Sequence, residues 1–447
     1  MLSMVIDSIS SFMYSKLLVI MLIGTGVYLT IRTKFPQVRL FRSACKAVME
    51  KPDDEDAVSS FQALMVSTAS RVGTGNIVGV SSAICIGGFG AVFWMWVTAL
   101  LGASTAFVEA ALAQKYKEPD PLYGGYHGGP AYYIHHFVEA KTGKTLRHSL
   151  TASLFAISGL ICWCGISQVI SNSVSSAFAN AFRVPPIVTT ILLVLLAAVI
   201  VLRKNATIKV LDIMVPIMAI GFFLLTLFII LVNLPKLPSV FSRIFSEAFG
   251  MRQAVSGGFG AVLMNGVKRG LFSNEAGSGS APCAAAAAQS KDPVRTGLTQ
   301  SLGVLIDTIV ICSCTAMIML LVPEELTSGL TGMDLLQTAM QYHLGYAGVI
   351  FIAVTLALFS FSTFIGILFY ARSNVAYLFG NRWCYQTAYK VLALIMLFIG
   401  GLEQYTVVWD LGDVGIGLMT LFNIAVLYPM SKEALELLKQ YEENKNL

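Results

Sequence analysis

The sequence predicts an all-α polytopic membrane protein with eleven transmembrane helices. Of its 447 residues, 56% are hydrophobic and only 12% are charged, and the mean hydropathy is +0.72. A water-soluble chain of this length could not bury so much apolar surface. Two apolar segments are interrupted by glycine-rich polar strings, which is typical of helices that line a cavity inside a bilayer. We therefore predict one peripheral N-terminal span followed by a five-plus-five inverted repeat with broken first and sixth core helices.

The predicted spans follow the apolar runs along the chain. A first span covers about Leu17 to Ile31, and a polar segment rich in arginine and lysine follows it. The ten core spans are expected at about 61–86, 91–116, 149–181, 186–202, 210–232, an apolar helix that follows a half-amphipathic stretch at 239–254 and ends at 267, 297–322, 346–370, 385–402 and 411–428. The predicted regions are 1–59 (N-terminal span and cytoplasmic loop), 60–234 (first repeat), 235–430 (second repeat) and 431–447 (a charged cytoplasmic tail).

The distribution of charge predicts the orientation in the membrane. With the loop after the first span in the cytoplasm, the inner segments hold most of the Lys and Arg residues, as the positive-inside rule requires. We expect the bacterial cytoplasmic (inner) membrane, with the N-terminus outside and the C-terminus inside. The formal net charge of +5 is modest, and this topology explains the positive residues. No basic stripe with interleaved aromatic residues occurs in the sequence, so a nucleic-acid partner is not expected.

The first core segment is interrupted at Val72-Gly73-Thr74-Gly75-Asn76. Backbone that leaves the helix at membrane depth needs protein or a polar cavity around it. Amides at the start of the second half-helix suit a carboxylate, and carbonyls at the end of the first half suit a cation. The segment therefore offers both parts of a site for an amino acid and a cation. Two alternatives stay open, because the glycines would also allow close helix packing and Asn76 would also serve as a helix cap.

The sixth core segment contains a second glycine-rich string, Ser256-Gly257-Gly258-Phe259-Gly260. Interrupted segments at matching places in two halves indicate an inverted-repeat transporter with its binding site near the bilayer midplane. Because five spans is an odd number, the second half enters from the opposite side of the membrane. Ser256, Gly257, Gly258 and Phe259 are predicted to line the substrate site, with the Phe259 ring limiting side-chain size. Ordinary packing of Phe259 is the alternative.

Several strings resemble a known family of membrane proteins. They are Ser70–Gly79 (SRVGTGNIVG), Phe93–Trp96 (FWMW), Glu109–Tyr116 (EAALAQKY), Gly128–Tyr133 (GGPAYY), Lys268–Pro282 (KRGLFSNEAGSGSAP) and Asp307-Thr308. By these strings the chain resembles the alanine or glycine:cation symporter family. The resemblance implies sodium-coupled, or in some members proton-coupled, uptake of alanine or glycine. It also implies the ten-helix fold of bacterial leucine transporters with one additional span.

The resemblance also implies a substrate site. In the wider fold, backbone amides at the positions that match Thr74 and Gly75 hold the substrate carboxylate. Family members usually carry Gln-x-Asn on the third core span, where this chain has Ile170-Ser171-Asn172. Asn172 is therefore the one candidate amide at this place, and the departure concerns substrate preference more than transport.

A sodium ion, transported as the coupling ion, is implied by the same resemblance. In that fold the ion is held by carbonyls at the positions that match Ala69 and Val72 and by paired hydroxyls on the eighth core span. Here the eighth span carries Ser362-Thr363, and Phe359 lies one helical turn earlier. We expect these five residues to form the cation site.

Charged residues inside the predicted spans are few. Arg71 would either gate the cavity or pair with Glu109, Glu275 or Asp307. Glu109 and Asp307 are read as structural partners or gate elements more than as proton carriers. A membrane-embedded enzyme would need nucleophile, base or metal residues at one depth, and a channel would favour a continuous polar face or ring of charges. The sequence pattern fits neither, so the expected partners are a small neutral amino acid, sodium and the lipid bilayer.

Overall fold

The computed structural model describes residues 8–50, 58–203, 207–249, 258–290 and 292–445, and these are mostly helical. Two short strands, β1 (Glu118–Pro119) and β2 (Tyr126–His127), form an antiparallel pair between α6 and α7. The helices in chain order are α1 Leu18–Arg32, α2 Pro36–Arg39, α3 Phe41–Val48, α4 Ser60–Arg71, α5 Val80–Gly87, α6 Gly90–Lys115, α7 Pro130–Thr142, α8 Leu150–Phe182, α9 Pro186–Val201, α10 Thr207–Val232, α11 Leu237–Glu247, α12 Gly258–Asn274, α13 Ala281–Ala287, α14 Pro293–Leu305, α15 Ser313–Leu320, α16 Glu324–Thr327, α17 Gly332–Leu344, α18 Tyr346–Phe379, α19 Trp383–Gly400 and α20 Tyr405–Lys445.

Eight helices within the described residues are long and apolar enough to cross a bilayer. They are Ser8–Arg32, Gly90–Lys115, Leu150–Phe182, Leu211–Val232, Pro293–Leu320, Tyr346–Phe379, Trp383–Gly400 and Tyr405–Lys445. The three other predicted spans correspond to shorter helices, namely α4 with α5, α9 and α12. Each half of a broken helix is shorter than the about 20 residues that one span needs. The count of eleven spans and their inverted repeat stay predictions.

The first interruption lies where the sequence predicts it. α4 begins with a capping box formed by Ser59 and Gln62. The helix ends at Arg71, and Val72 leaves the helical region with ψ at 85°. Helical geometry resumes at Thr74. All residues from 63 to 83 are buried, so protein surrounds the irregular backbone, as a bilayer requires.

In the Ser59 capping box, the hydroxyl of Ser59 accepts from the backbone N–H of Gln62 at 3.0 Å, and the side-chain carbonyl of Gln62 accepts from the backbone N–H of Ser59 at 3.0 Å. This pair satisfies two of the backbone donors that a helix start leaves without partners. The start of α4 is thereby fixed, and with it the position of the interruption twelve residues of helix later.

The second interruption lies elsewhere than predicted. α12 runs unbroken from Gly258 to Asn274, and the chain leaves the helix at Glu275–Ser280 before α13 begins. Glu275, Gly277 and Gly279 have φ values of 57°, 90° and 83°, which a right-handed helix does not accommodate. Phe259 and Gly260 of the predicted string are therefore helical, Gly258 has φ at 67° where α12 begins, and Ser256 and Gly257 lie outside the described residues.

Two basic residues also lie elsewhere than predicted. Lys268 and Arg269, expected in a polar segment after the sixth span, are inside α12. Their side chains reach Asp413 on α20, with Lys268 Nζ 2.7 Å and Arg269 Nη2 3.0 Å from Asp413 Oδ2. Asp413 is fully buried, so its charge is compensated by these two cations.

The C-terminal segment continues the last span. The sequence predicts a separate charged helix after residue 430, whereas α20 runs from Tyr405 to Lys445 with Pro429 inside it. One face of the extension is buried. Glu433 forms an ion pair with Lys115, and Glu442 forms one with Arg39. These contacts and the buried face hold the extension against the helix bundle.

Close helix packing places the two interruptions side by side. A Cβ built on Gly366 of α18 would lie 3.0 Å from the Ser70 nitrogen of α4, and one built on Gly75 would lie 3.3 Å from Ser273 Cα of α12. Only glycine permits such approach without a shift of neighbouring atoms. Residues 269–288 are all buried, so both irregular segments lie in the interior of the bundle.

Candidate functional site

Oxygen atoms from α4 and α18 meet beside the first interruption. The Thr363 hydroxyl donates to the carbonyl of Ala69 at 3.0 Å and to the carbonyl of Phe359 at 3.0 Å. The Ser362 hydroxyl donates to the same Phe359 carbonyl at 2.8 Å. A Cβ on Gly73 would overlap the Thr363 hydroxyl, so the irregular backbone lies directly against this group. We call Ala69, Phe359, Ser362 and Thr363 the oxygen cluster.

The oxygen cluster has the chemistry of a site for a hard monovalent cation. Its four residues are at most 3% exposed, and its carbonyl and hydroxyl oxygens are uncharged. Hydroxyl groups rotate, so a hydroxyl that donates to a carbonyl can turn a lone pair to a cation that binds between them. Hard cations prefer such oxygen ligands. Val72, the fifth predicted ligand through its backbone carbonyl, is 1% exposed and directly precedes Gly73.

The backbone amides that begin the second half-helix lie on the other side of the interruption. Thr74 is 1% exposed and begins the second half-helix, with Gly75 in the π-helical turn that follows. The first N–H groups of a helix lack helical acceptors. The N–H of Gly73 is already used, because it donates to Asn76 Oδ1 at 3.0 Å. The amides of Thr74 and Gly75 are therefore available for a carboxylate at the positive end of the half-helix.

Asn76 holds the two interruptions together. Its Oδ1 caps Gly73, and its Nδ2 donates to Asp307 Oδ1 at 2.7 Å. The other oxygen of Asp307 accepts bonds from the Ser273 hydroxyl at 2.8 Å and the Thr308 hydroxyl at 2.9 Å. Asn76 and Asp307 are fully buried. Both polar atoms of the Asn76 side chain thus have protein partners, as the capping alternative expects.

The rings of Phe272 and Trp409 lie beside the backbone of Gly75, and we call them the aromatic wall. The centroids of Phe272 and Trp409 lie 4.9 Å apart. A Cβ on Gly75 would lie 3.1 Å from Phe272 Cδ1, and one on Gly412 would lie 3.3 Å from Phe272 Cε2. Trp409 Nε1 is buried without a hydrogen-bond partner among the described residues. The sequence predicts that the ring of Phe259 limits the size of the substrate side chain. In the structure the aromatic ring beside the first interruption is that of Phe272.

The structure places Phe259 and Gly258 away from this wall. Phe259 is 44% exposed and packs edge-on against Trp94 at a centroid distance of 5.9 Å. It precedes Ser273 by fourteen positions on one helix, which corresponds to about 21 Å along its axis. Gly258, at the start of the same helix, lies one residue farther still. These two residues are not brought together with Thr74 and Gly75.

Asn172 lies on α8, close to the connection between α19 and α20. Its Nδ2 donates to the carbonyl of Glu403 at 2.8 Å and to that of Gly400 at 3.3 Å. Val169 of α8 lies closer to the aromatic wall than Asn172 does, because its side chain lies 3.5 Å from a Cβ built on Gly412, which also faces Phe272. Asn172 therefore holds a helix connection one turn away from the wall.

A buried guanidinium lies just before the first interruption. Arg71 is 1% exposed, and its Nη1 donates to the carbonyl of Gln300 at 3.5 Å. Its Nε and Nη2 have no hydrogen-bond partner among the described residues. Arg71 forms no ion pair within the described part of the chain, but its charge acts on Glu109, Glu275 and Asp307.

Two buried carboxylates hold the second interruption. Glu275 Oε1 accepts from the Ser70 hydroxyl at 2.8 Å, while its Oε2 has no partner among the described residues. Glu109 accepts from the amide of Gly277 at 3.2 Å and from the side-chain amide of Asn423. Glu275 thus connects the two broken helices, and Glu109 fixes the backbone of the second one.

Sequence reasoning missed three residues of the site. Phe272 and Ser273 lie within the string KRGLFSNEAGSGSAP, which carried the family resemblance without a role for either residue. Trp409 lies in the last span, and nothing in its local pattern connects it to residues more than a hundred positions earlier. The string itself was the available signal for the first two.

The fold and site define a polytopic helical membrane transporter, in which two broken helices meet inside an apolar bundle. The solved structure of the Eremococcus coleocola manganese transporter in complex with an aromatic bis-isothiourea substituted compound is similar, with a TM-score of 0.54 and 13% sequence identity over 86% of this chain and 81% of that one. This likeness shows a shared fold. The model of the sodium:alanine symporter family matches residues 1–447, and the chain belongs to that family.

Relatives with assigned names agree with this membership. The chain is 39% identical to the "Probable sodium/glutamine symporter GlnT" of Bacillus subtilis, over 97% of this chain and 89% of that protein. It is 34% identical to the "Sodium/alanine symporter AgcS" of Methanococcus maripaludis, over 98% of this chain and 97% of that protein. The family expected from the sequence strings is thus confirmed.

Proposed function

We propose that the protein is a sodium-coupled symporter that carries alanine or glycine into the cell by alternating access. The observation that carries this proposal is the oxygen cluster beside the first interruption, where Thr363 contacts the carbonyls of Ala69 and Phe359 at 3.0 Å. A cation bound there would connect α18 to the end of α4. Substrate bound at the amides of Thr74 and Gly75 would lie on the same short interruption, so each ligand would stabilise the backbone that the other needs.

The coupling ion in this proposal is sodium because the oxygen cluster has no group that titrates near neutral pH. Backbone carbonyls and aliphatic hydroxyls do not take up a proton under these conditions, whereas they are good ligands for a hard cation. Coupling to protons is the second candidate. The observation that favours it is the buried Oε2 of Glu275, which has no hydrogen-bond partner among the described residues.

The proposed substrate is small because the aromatic wall lies against the backbone that would bind the carboxylate. Phe272 Cδ1 is 3.1 Å from a Cβ built on Gly75, and the ring of Trp409 packs against the ring of Phe272 at a centroid distance of 4.9 Å. An α-amino acid held at the Thr74 and Gly75 amides would direct its side chain toward restricted space. Relatives are named for glutamine and for alanine, and this wall is our reason for choosing alanine or glycine.

Uptake into proteoliposomes tests the proposal. Labelled alanine, glycine, glutamine and leucine are offered under an inward sodium gradient with equal pH on both sides, and then under a proton gradient with equal sodium. We expect alanine or glycine accumulation above the external concentration with the sodium gradient alone. Accumulation driven only by the proton gradient would establish the second candidate. Counterflow of labelled alanine separates a carrier from a channel or an enzyme, since a carrier alone shows it.

A further inference from the structure

An apolar groove runs along the outside of the helix bundle, away from both interruptions. Its walls come from α8, α18 and α19, with Leu411 of α20 at its base, and its volume is about 700 Å³. Ile157 and Ile161 on one wall and Leu392 on the other are 40 to 47% exposed. All three helices are long and apolar enough to span a bilayer. The groove is therefore open toward the hydrocarbon region of the membrane.

The length of the groove matches one leaflet of a bilayer. On α19 the lining extends from Tyr385 to Met396, and on α8 it extends from Ile157 to Gln168. Each of these stretches covers eleven residue steps, or about 16 Å of helix. One leaflet contributes about half of a hydrocarbon core that is about 30 Å thick. A transmembrane helix from a second copy of the chain would extend over both leaflets, about twice the length of the groove.

The two ends of the groove differ in chemistry. At the deep end, Gln168 Nε2 donates to the sulfur of Met396 at 3.4 Å, so these side chains satisfy each other and close the groove. At the other end, Tyr385 lies in the first turn of α19 and donates its backbone N–H to the carbonyl of Arg382 at 3.2 Å. Arg382 is exposed and forms no ion pair with the described residues. Basic side chains beside apolar clefts at membrane interfaces recognise lipid phosphates.

We propose that this groove binds one phospholipid, with an acyl chain along α8, α18 and α19 and the phosphate beside Arg382. The apolar walls fit an acyl chain, and the length of the groove matches the extent of that acyl chain in one leaflet. The guanidinium of Arg382, which forms no ion pair with the described residues, fits the phosphate of the headgroup. This inference is independent of the transported substrate and of the coupling ion. It places a lipid against α18, the helix that also carries Ser362 and Thr363.

Native mass spectrometry of the full-length protein in non-ionic detergent tests the proposal. The probe is phosphatidylglycerol with palmitoyl and oleoyl chains, and a dihexanoyl phosphatidylglycerol serves as the short-chain comparison. We expect one long-chain lipid to stay bound to each wild-type monomer, and the short-chain lipid to bind at least tenfold more weakly. Arg382→Gln should weaken long-chain binding severalfold, because the phosphate contact is lost while the groove stays intact.

Filling the groove should remove the lipid. Ala388 lines it and is exposed, so Ala388→Trp is expected to lower lipid occupancy at least fivefold. Ile161→Trp, on the opposite wall, should do the same if the first variant fails to fold. Leu196→Trp adds the same ring to an exposed site on α9 outside the groove and should leave occupancy unchanged. Unchanged lipid in a folded groove variant, a lipid-free wild type, or a dimer that the groove variants dissociate would each overturn the proposal.

Discussion

The hydroxyl of Thr363 donates a 3.0 Å hydrogen bond to the carbonyl of Ala69, and this contact joins α18 to the last turn of α4. The two residues are 294 positions apart in the sequence. Their contact lies directly against Gly73, where the chain leaves the helix. It is the point at which a bound cation would connect the two halves of the chain.

Removing the Thr363 hydroxyl tests the proposed cation site. Thr363→Ala deletes one ligand and leaves the helix intact, so the sodium concentration for half-maximal alanine uptake should rise tenfold or more, which corresponds to about 1.4 kcal/mol. Ser362→Ala should act in the same direction. The measurement is initial uptake against sodium concentration at constant ionic strength. An unchanged sodium dependence in both variants would remove the oxygen cluster from the coupling site.

Gly73→Ala tests the position of the Thr363 hydroxyl without changing Thr363 itself. A Cβ at this position would overlap the Thr363 hydroxyl, so the substitution should displace it and also weaken sodium dependence. Gly221→Ala is the matched control, because a Cβ on Gly221 meets no atom within 4 Å. The control should transport like the wild type.

A proline at position 74 tests the role of the backbone amide. Thr74 has φ at −58°, which proline adopts without strain, and proline is tolerated at a helix start while it lacks the N–H group. Thr74→Pro should therefore abolish alanine binding, whereas Thr74→Ala keeps the amide and should bind within a few-fold of wild type. Binding is measured by scintillation proximity, and thermal stability confirms folding. Near-native alanine binding by a folded Thr74→Pro protein would exclude this amide from the site.

Substrate size should depend on Phe272 and not on Phe259. Phe272→Ala opens space beside Gly75 and should let leucine compete with alanine, because misfit groups in such pockets change discrimination by about 1 to 3 kcal/mol. Phe259→Ala is the matched control, since that ring is 44% exposed and packs on Trp94. Competition curves against labelled alanine provide the measurement. The opposite pattern, with leucine admitted only by Phe259→Ala, would restore the sequence-based assignment.

Stability should depend on the buried carboxylate of Asp413. Asp413→Asn leaves Lys268 and Arg269 without their compensating charge in the interior, which costs about 3 to 5 kcal/mol in comparable cases. The exposed pair of Lys439 and Glu443 provides the control, because Glu443→Gln should change stability by less than about 1 kcal/mol. Thermal unfolding in detergent measures both variants. Equal shifts in melting temperature would show that the buried network does not stabilise the fold.

The sequence predicted the first interruption because its polar residues and glycines stand inside one apolar run. The second described interruption lies at one of two neighbouring glycine-rich strings, at 256–260 and 277–280, and the prediction chose the other. Glu275, Gly277 and Gly279 have positive φ where the helix is interrupted, whereas in the other string Gly258 has positive φ at the start of α12. A glycine in a sequence shows that such a conformation is permitted, and it does not show that the chain adopts it.

Long-range pairing explains the other differences between expectation and structure. The predicted sixth span ends at residue 267, and Lys268 and Arg269 are expected after it, among the positive residues on the cytoplasmic side. Their partner, Asp413, is 144 positions away from Arg269, so a local pattern does not reveal the compensation. The contact of Trp409 with Phe272 was hidden for the same reason. By contrast, the expected contact between Ala69 and Thr363 came from the family resemblance, and the structure brings those two residues together.

In the proposed transport cycle, sodium and a small amino acid bind to one interruption and stabilise each other. The most direct test is the affinity of the purified protein for alanine, measured from zero to saturating sodium with potassium keeping the ionic strength constant and the pH fixed. We expect the affinity for alanine to rise with sodium, and the affinity for sodium to rise with alanine by the same factor, as linkage requires. An affinity for alanine that stays constant over the whole range of sodium concentration would contradict the account.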